Sequence, residues 1–203
     1  MPEAPRTRRG PRLSAEERRE SILRAATEAF AESGYQRART SDIAARVGVT
    51  EPVVFQNFGS KAALYAAVFD RLARALSESM RKAASDETPV SVLLARFLSH
   101  DHIDEFHAPG AAGFLFADAM TAVGETAIEE AARAGIRTFA EALADVLRKG
   151  QSDGDVRADM DPEAMAWWLL SYMASHRFRT SVLPAHGGLA GKLDEVVLHT
   201  LTG

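Results

Sequence analysis

Cysteine is absent from the 203 residues, which excludes disulfide frameworks, thiolate zinc sites and thiol catalysis. Also missing is any apolar run near the roughly 18 residues that a bilayer-spanning helix needs. No segment alternates polar and apolar residues with the period of two that marks a half-buried strand, and no stretch repeats itself. The Pro- and Arg-rich N-terminus holds no apolar block, unlike a secretory signal. A Ser-His-Asp order, a phosphate-cradling glycine loop and a metal-protease motif are lacking too, so an all-α enzyme is the least supported function. No cofactor and no membrane partner are expected. What is present is a chain 46% hydrophobic, enough to bury a core, expected in the cytoplasm.

The net charge of −4 has the wrong sign for a nucleic-acid binder, but its distribution says more than its total. Residues 1–61 carry 11 Lys/Arg against 8 Asp/Glu, a net of +3, and residues 62–203 carry the remaining 13 against 20, a net of −7. A basic head can meet phosphates, while an acidic body limits nonspecific adhesion to DNA.

Residues 1–13 hold Arg6, Arg8, Arg9 and Arg12 among prolines and a glycine, and read as a flexible basic arm. Ser14-Ala-Glu-Glu17 has the pattern of a capping box, in which hydroxyl and carboxylate satisfy each other's helix-start amides. Ile22, Ala26, Ala29 and Phe30 then form one apolar stripe that stops near Gly34. Two short helices follow. Ile43 and Val47 lie one turn apart before Gly48, and Thr50 can cap the next helix, with Pro52 tolerated in its first turn. That helix is spent by Phe58-Gly59. Ser60 can cap a long helix over about 61–84, with Leu64, Val68, Leu72, Ala75 and Met80 inward. The remaining periodic segments are roughly 90–101, 111–123, 125–151, 162–182 and 188–201, with breaks at Pro109-Gly110, 150–154 and 184–188. Asp161-Pro162 reads as an N-cap followed by a first-turn proline. The expected fold is all-α.

A long helix followed by two short ones with a tight turn between them is what a helix-turn-helix reader needs, because the last must lie in the major groove while the others brace it. Ala44 is small where those helices would cross, Gly48 suits the turn, and Val54 can pack the outer helix onto the core. The stretch Ile22 to Phe69 resembles the TetR-family DNA-binding domain. The resemblance runs through Ala29-Phe30-(x3)-Gly34-Tyr35, Asp42-Ile43-Ala44, Gly48-Val49-Thr50 and Val54-Phe55-Gln56-Asn57-Phe58-Gly59-Ser60-Lys61-(x2)-Leu64. Gly154 to Glu163 likewise looks like the connection that many members place before their penultimate helix.

The resemblance implies a helix-turn-helix domain over 14–60 and a ligand-binding and dimerisation domain over 61–203. It implies that Glu51, Pro52, Val53, Gln56 and Asn57 face double-stranded DNA. Gln56 or Asn57 suits adenine, Glu51 a cytosine amino group, and Pro52 and Val53 a thymine methyl. Thr40, Ser41, Thr50 and Phe55 complete that surface, while Lys61, Arg39 and the arm arginines are phosphate candidates. The chain departs from the family at several points. Phe55 stands where tyrosine is usual, Asn57 where histidine is common and Val53 where threonine is common. Arg39 occupies the usual Ser/Thr cap, and Thr40 falls on the apolar Ile43/Val47 face.

One such helix reads only a few base pairs, so a homodimer on a pseudo-palindromic operator is expected. Met165, Trp168, Leu169, Tyr172 and Met173 form one stripe, Trp167 and Leu170 a second, and Leu189, Leu193, Val196, Val197 and Leu201 a face of the last helix. The family pairs these helices between subunits, which implies an interface of Met165, Trp168, Leu169, Tyr172, Met173, Leu193, Val197 and Leu201. In the family the region between encloses an inducer pocket, here assigned to Phe97, His100, Phe106, Phe114, Met120, Phe139, Trp168 and Met173, with Phe116 nearby. The ligand expected is a small, mainly apolar effector. The cluster His100-Asp101-His102-x-Asp104-Glu105-x-His107 admits three readings: a metal site, polar handles of a ligand site, or an ordinary polar helix end. No i, i+4 His pair is present, and no metal is assigned. The function expected is a ligand-released repressor, with an inducer-free DNA-binding regulator as the alternative.

Overall fold

Helix formation starts at the capping box. The Ser14 hydroxyl accepts from the Glu17 amide at 3.1 Å and the Glu17 carboxylate accepts from the Ser14 amide at 2.8 Å. The computed structural model describes residues 14–85, 88–108, 111–122, 124–183 and 188–203. The arm, residues 1–13, lies outside them. Among the described residues there are eleven helices and no strand. They are α1 (Ala15–Arg37), α2 (Thr40–Arg46), α3 (Glu51–Phe58), α4 (Lys61–Ser85), α5 (Val90–Phe97), α6 (His100–His107), α7 (Ala112–Ala119), α8 (Thr126–Asp153), α9 (Pro162–Ala174), α10 (His176–Val182) and α11 (Leu189–Thr202). None of them is long and apolar enough to cross a membrane.

Two of the expected helices are each split in two, both times at a serine. The segment expected over 90–101 ends at Phe97, and the Ser99 hydroxyl accepts from the His102 amide at 3.4 Å to start α6. The segment expected over 162–182 breaks at Ser175, which leaves the Tyr172 carbonyl without its helical donor. The Ser175 hydroxyl, at 2.9 Å, and the Arg179 guanidinium supply the missing bonds. Helix α1 runs past Gly34, but Gly34 itself is non-helical at φ 76°, ψ 170°. Ala75, expected inward on α4, is exposed, and Ala73 is the buried residue of that turn.

In the head, α1, α2 and α3 pack with the first turns of α4 around Ile22, Phe30, Ile43, Val54, Leu64 and Val68, all at most 1% exposed. The same cluster continues through Tyr65 and Phe69 into Leu115 of α7 and Ile128 of α8. A second cluster, built on Val90, Leu94, Ile103, Leu143, Leu147, Met165 and Leu169, fills the far end of the body, where α9 lies on α8 and α11 covers α5 and α6. Apolar side chains at this spacing bury by the same hydrophobic drive at both ends. What differs is the face left bare.

Candidate nucleic-acid interface and effector chamber

Helix α3 owes its orientation to two anchors, Val54 and Phe58, buried at 1% and 8% exposure. Gly48 takes φ 69° in the turn before it, a conformation that a side chain would strain. With those anchors inward, Pro52, Phe55 and Gln56 are exposed, Val53 and Asn57 half-buried. The far end is fixed by Arg19, whose guanidinium lies 4.1 Å over the Phe58 ring and donates to the Asn57 carbonyl. Arg19 was not among the expected residues, since its partners Asn57 and Phe58 lie 38 and 39 positions away.

The polar residues assigned to DNA divide into two groups. Gln56 is exposed and its side chain makes no internal hydrogen bond among the described residues. Asn57 instead turns its amide back to the Val53 carbonyl at 2.7 Å. Glu51 accepts a hydrogen bond from the buried Thr40 hydroxyl, which explains a polar residue on the apolar face of α2: its donor is satisfied by the neighbouring helix. Thr50 occupies the N-cap position of α3, yet its side chain makes no capping bond, and Arg39 likewise caps α2 only by position. Beside α3 an open cleft is lined by Gln36, Arg37, Arg39, Thr40, Ser41, Glu51 and Lys61. Three of these residues are cations and the single acid is tied to Thr40.

Lys61 leans toward α1. Its ammonium lies 4.7 Å over the Tyr35 ring and donates to the Gln36 carbonyl at 3.3 Å. Partial burial draws its pKa below the usual value, against the opposing pull of Glu125 and Asp118. Ser60 caps α4 as expected, accepting from the Ala63 amide at 3.0 Å.

Asp118, a lone carboxylate on the apolar helix α7, ties the head to the body. It accepts from the Tyr35 amide at 2.7 Å and from the Tyr65 hydroxyl at 2.8 Å, and the Tyr35 hydroxyl reaches Glu125 at 2.9 Å. A Cβ at Gly34 would stand 2.7 Å from an Asp118 oxygen, and its φ/ψ lies in a region that is essentially glycine's alone. Both constraints hold Gly34-Tyr35 against α7. The signal in the sequence was an acid inside Gly-Phe-Leu-Phe-Ala-Asp118-Ala, which nothing local explained.

Another face of α7 lines a cavity of about 420 Å³ with Gly113, Phe116, Ala117 and, just past the helix, Met120, closed by Ile136, Leu170, Met173 and Ala174. A second cavity of about 340 Å³ lies between α4, α5, α6 and α8, and Phe97, Phe106 and Phe139 line both. Of the residues assigned to a pocket, these three with Met120 and Met173 therefore surround one chamber system. Met120 does so from its rim, at 65% exposure. Phe114 and Trp168 line neither cavity. The His100 side chain lies outside what the structure describes. The surrounding acidic and histidine cluster is helical, and no group of three potential metal ligands gathers among the described residues. Within it His102 faces the smaller cavity and Asp104 pairs with the buried His176 at 2.9 Å.

Most of the stripe assigned to the subunit interface is covered within the protomer, with Trp168 left exposed. Met165, Leu169, Met173, Val197 and Leu201 are at most 5% exposed within the protomer. They belong to its own core. Tyr172 and Leu193 are half-buried, with the Tyr172 hydroxyl donating to Asp194 at 2.5 Å. The large apolar side chains exposed on α9, α10 and α11 are Trp167, Trp168 (37%), Phe178 (69%), Val182, Leu189 and Val196 (60%). Periodicity identifies two apolar faces on a helix; it cannot say which of them the protomer keeps.

Residues 22–68 match the family model for bacterial regulatory proteins of the tetR family. The transcriptional activator FasR of Mycolicibacterium smegmatis is 44% identical over 81 residues, a match spanning 40% of this chain and 37% of that protein. A TetR-family regulator from a Rhodococcus species superposes with a TM-score of 0.67 at 19% identity, covering 91% of this chain and 96% of its own. The FadR regulator of Bacillus subtilis in complex with stearoyl-CoA does so with 0.62 at 17% identity, covering 91% and 97%. These structures share the whole helical architecture, and the sequence match falls on the helices around α3. By sequence, residues 22–68 are identified with the tetR family of bacterial regulatory proteins, and the rest of the chain shares the fold of that family's solved structures.

Proposed function

We propose that this chain is a sequence-specific DNA-binding transcriptional regulator that acts as a dimer, a repressor released from its operator when a small, mainly apolar molecule occupies the body. The observation that carries the reading is the bare outer face of α3, braced from behind by Val54 and Phe58 and flanked by a cleft rich in cations. On this reading Gln56 makes the directional base contact, with Pro52 and Val53 against a thymine methyl. Arg37, Arg39, Ser41 and Lys61 take phosphates. Glu51, held by Thr40, positions α3 against α2 and does not read a base. Asn57 keeps its amide for α3 itself, and Phe55 offers its ring without the phenol that would bond a phosphate.

Support for an apolar effector comes from the chamber lining and from the shared fold with FadR of Bacillus subtilis, a structure that holds stearoyl-CoA. Helix α7 is the natural coupling element, because one face lines the chamber and another carries Asp118. A ligand that binds better with α7 displaced would move Tyr35 and Tyr65, and with them the head. A coupling of roughly 1–3 kcal/mol is the usual scale of such linkage. Dimerisation on the exposed Trp168–Val196 side would place two α3 helices on one duplex.

The reading is tested by a gel shift with the gene's own upstream region. Binding should exceed that to random duplex by about 10³-fold or more, and should weaken steeply with salt as phosphate contacts release counterions. Equal affinity for both duplexes removes the regulatory assignment.

A further inference from the structure

The two cavities that share the wall of Phe97, Phe106 and Phe139 differ in chemistry. The larger is lined by no ionisable side chain and no hydroxyl. A charged group there would lose its hydration with nothing in return. The smaller has three polar liners, Ser79, Arg96 and His102, and no carboxylate. Each of the three offers a hydrogen-bond donor, and one is a permanent cation. Arg96 makes no ion pair among the described residues and sits exposed at the opening. His102 is set against the wall itself, its ring 5.7 Å from Phe97 and 6.4 Å from Phe106.

From this polarity we infer that the effector is a single-chain amphiphile, its anionic head held by Arg96 with His102 and Ser79, its apolar tail passing the phenylalanine wall into the cavity beneath Met173. The inference rests on the ligand-responsive reading above and narrows it. A cationic head is disfavoured by Arg96, and a neutral one can accept hydrogen bonds but leaves the guanidinium charge without a counter-ion. A guanidinium grips a carboxylate or phosphate through two parallel hydrogen bonds. The tail contributes affinity by burial alone, about fourfold per methylene while space remains.

Calorimetry on the full chain tests this with dodecanoate, dodecan-1-ol and dodecyltrimethylammonium, each below its micellar concentration. Dodecanoate should bind about tenfold or more tighter than the alcohol, and the cation more weakly than either. Arg96→Ala should bring dodecanoate down to the affinity of the alcohol while leaving the alcohol unchanged, and Arg96→Lys should restore part of the difference. Ala117→Phe, which shortens the apolar limb, should move the preferred carboxylate to a shorter chain without removing the preference for an anion. Dodecanoyl-CoA separates two sources of the same chemistry. Tighter binding than dodecanoate assigns the anion to the phosphates of a thioester carrier, and weaker binding assigns it to a free carboxylate. Equal binding of alcohol and dodecanoate, or an anion preference that survives Arg96→Ala, overturns the inference and leaves the apolar-effector reading standing. Failure of every amphiphile to bind overturns both.

Discussion

All three tyrosines hold their phenols against carboxylates or apolar surroundings, and each departs from ordinary behaviour in the same direction. Burial, reinforced by the hydrogen bond to Glu125, pushes Tyr35 from 10.0 up to about 12. Tyr65, buried and donating to Asp118, and Tyr172, partly buried and donating to Asp194, are raised further. A raised phenol pKa means that the neutral form is favoured by folding. The contribution is therefore complete below the unfolded value of 10.0 and lost as pH climbs through the folded values, from about 12 for Tyr35 upward. Phenolate absorbance near 295 nm should stay flat past pH 10 and rise only with loss of helicity; a tyrosine ionising at 10 in the intact fold contradicts these contacts. At this scale the sequence was partly readable. The Ser14/Glu17 box, the Ser60 and Asp161 caps and the anchors Val54 and Phe58 follow from local rules. Thr40 and Asp118 do not, because their partners, Glu51 and Tyr35 with Tyr65, are fixed only by the packing of other helices.

Among elements, α7 bears the most on function for its length. It has eight residues, carries one carboxylate, and touches both the chamber and the head. Asp118→Ala would orphan the Tyr35 amide, while the Tyr65 hydroxyl keeps the Leu115 carbonyl at 3.1 Å. An unsatisfied buried donor costs about 1–3 kcal/mol. The variant should be destabilised by that amount in urea unfolding and should exchange the Tyr35 amide faster. Asp118→Asn, which keeps one acceptor oxygen, should recover part of the loss. Wild-type stability in the alanine variant would show that the contact does not hold the head. The order of helices was legible from apolar periodicity and from glycine and proline breaks. The splits at Ser99 and Ser175 were not, since a serine inside an apolar-periodic run also fits an unbroken helix with a solvated hydroxyl.

At the scale of the molecule, the acidic excess of residues 62–203 falls on the helical bundle that holds the chamber, whereas the basic excess of residues 1–61 comes from residues 1–13, outside the described residues. Which apolar face of α9 stays exposed was the part least available from sequence, because Met165 and Leu169 satisfy the same period as Trp168 and differ only in which neighbour they meet. The exposed set makes a definite prediction. Trp168→Glu combined with Val196→Arg should give a monomer by sedimentation velocity with unchanged helicity, and should weaken operator binding by about tenfold or more. A dimer that survives both changes places the interface elsewhere. The central claim is that α3 enters a duplex by its Pro52–Gln56 face, and site-specific photo-crosslinking tests it most directly. A benzophenone side chain in place of Gln56, with the protein bound to its upstream DNA, is predicted to crosslink to bases, whereas the same group in place of Arg133 on α8 is predicted to give no crosslink. Full DNA binding with no crosslink from position 56, or with equal crosslinking from both positions, would contradict the account.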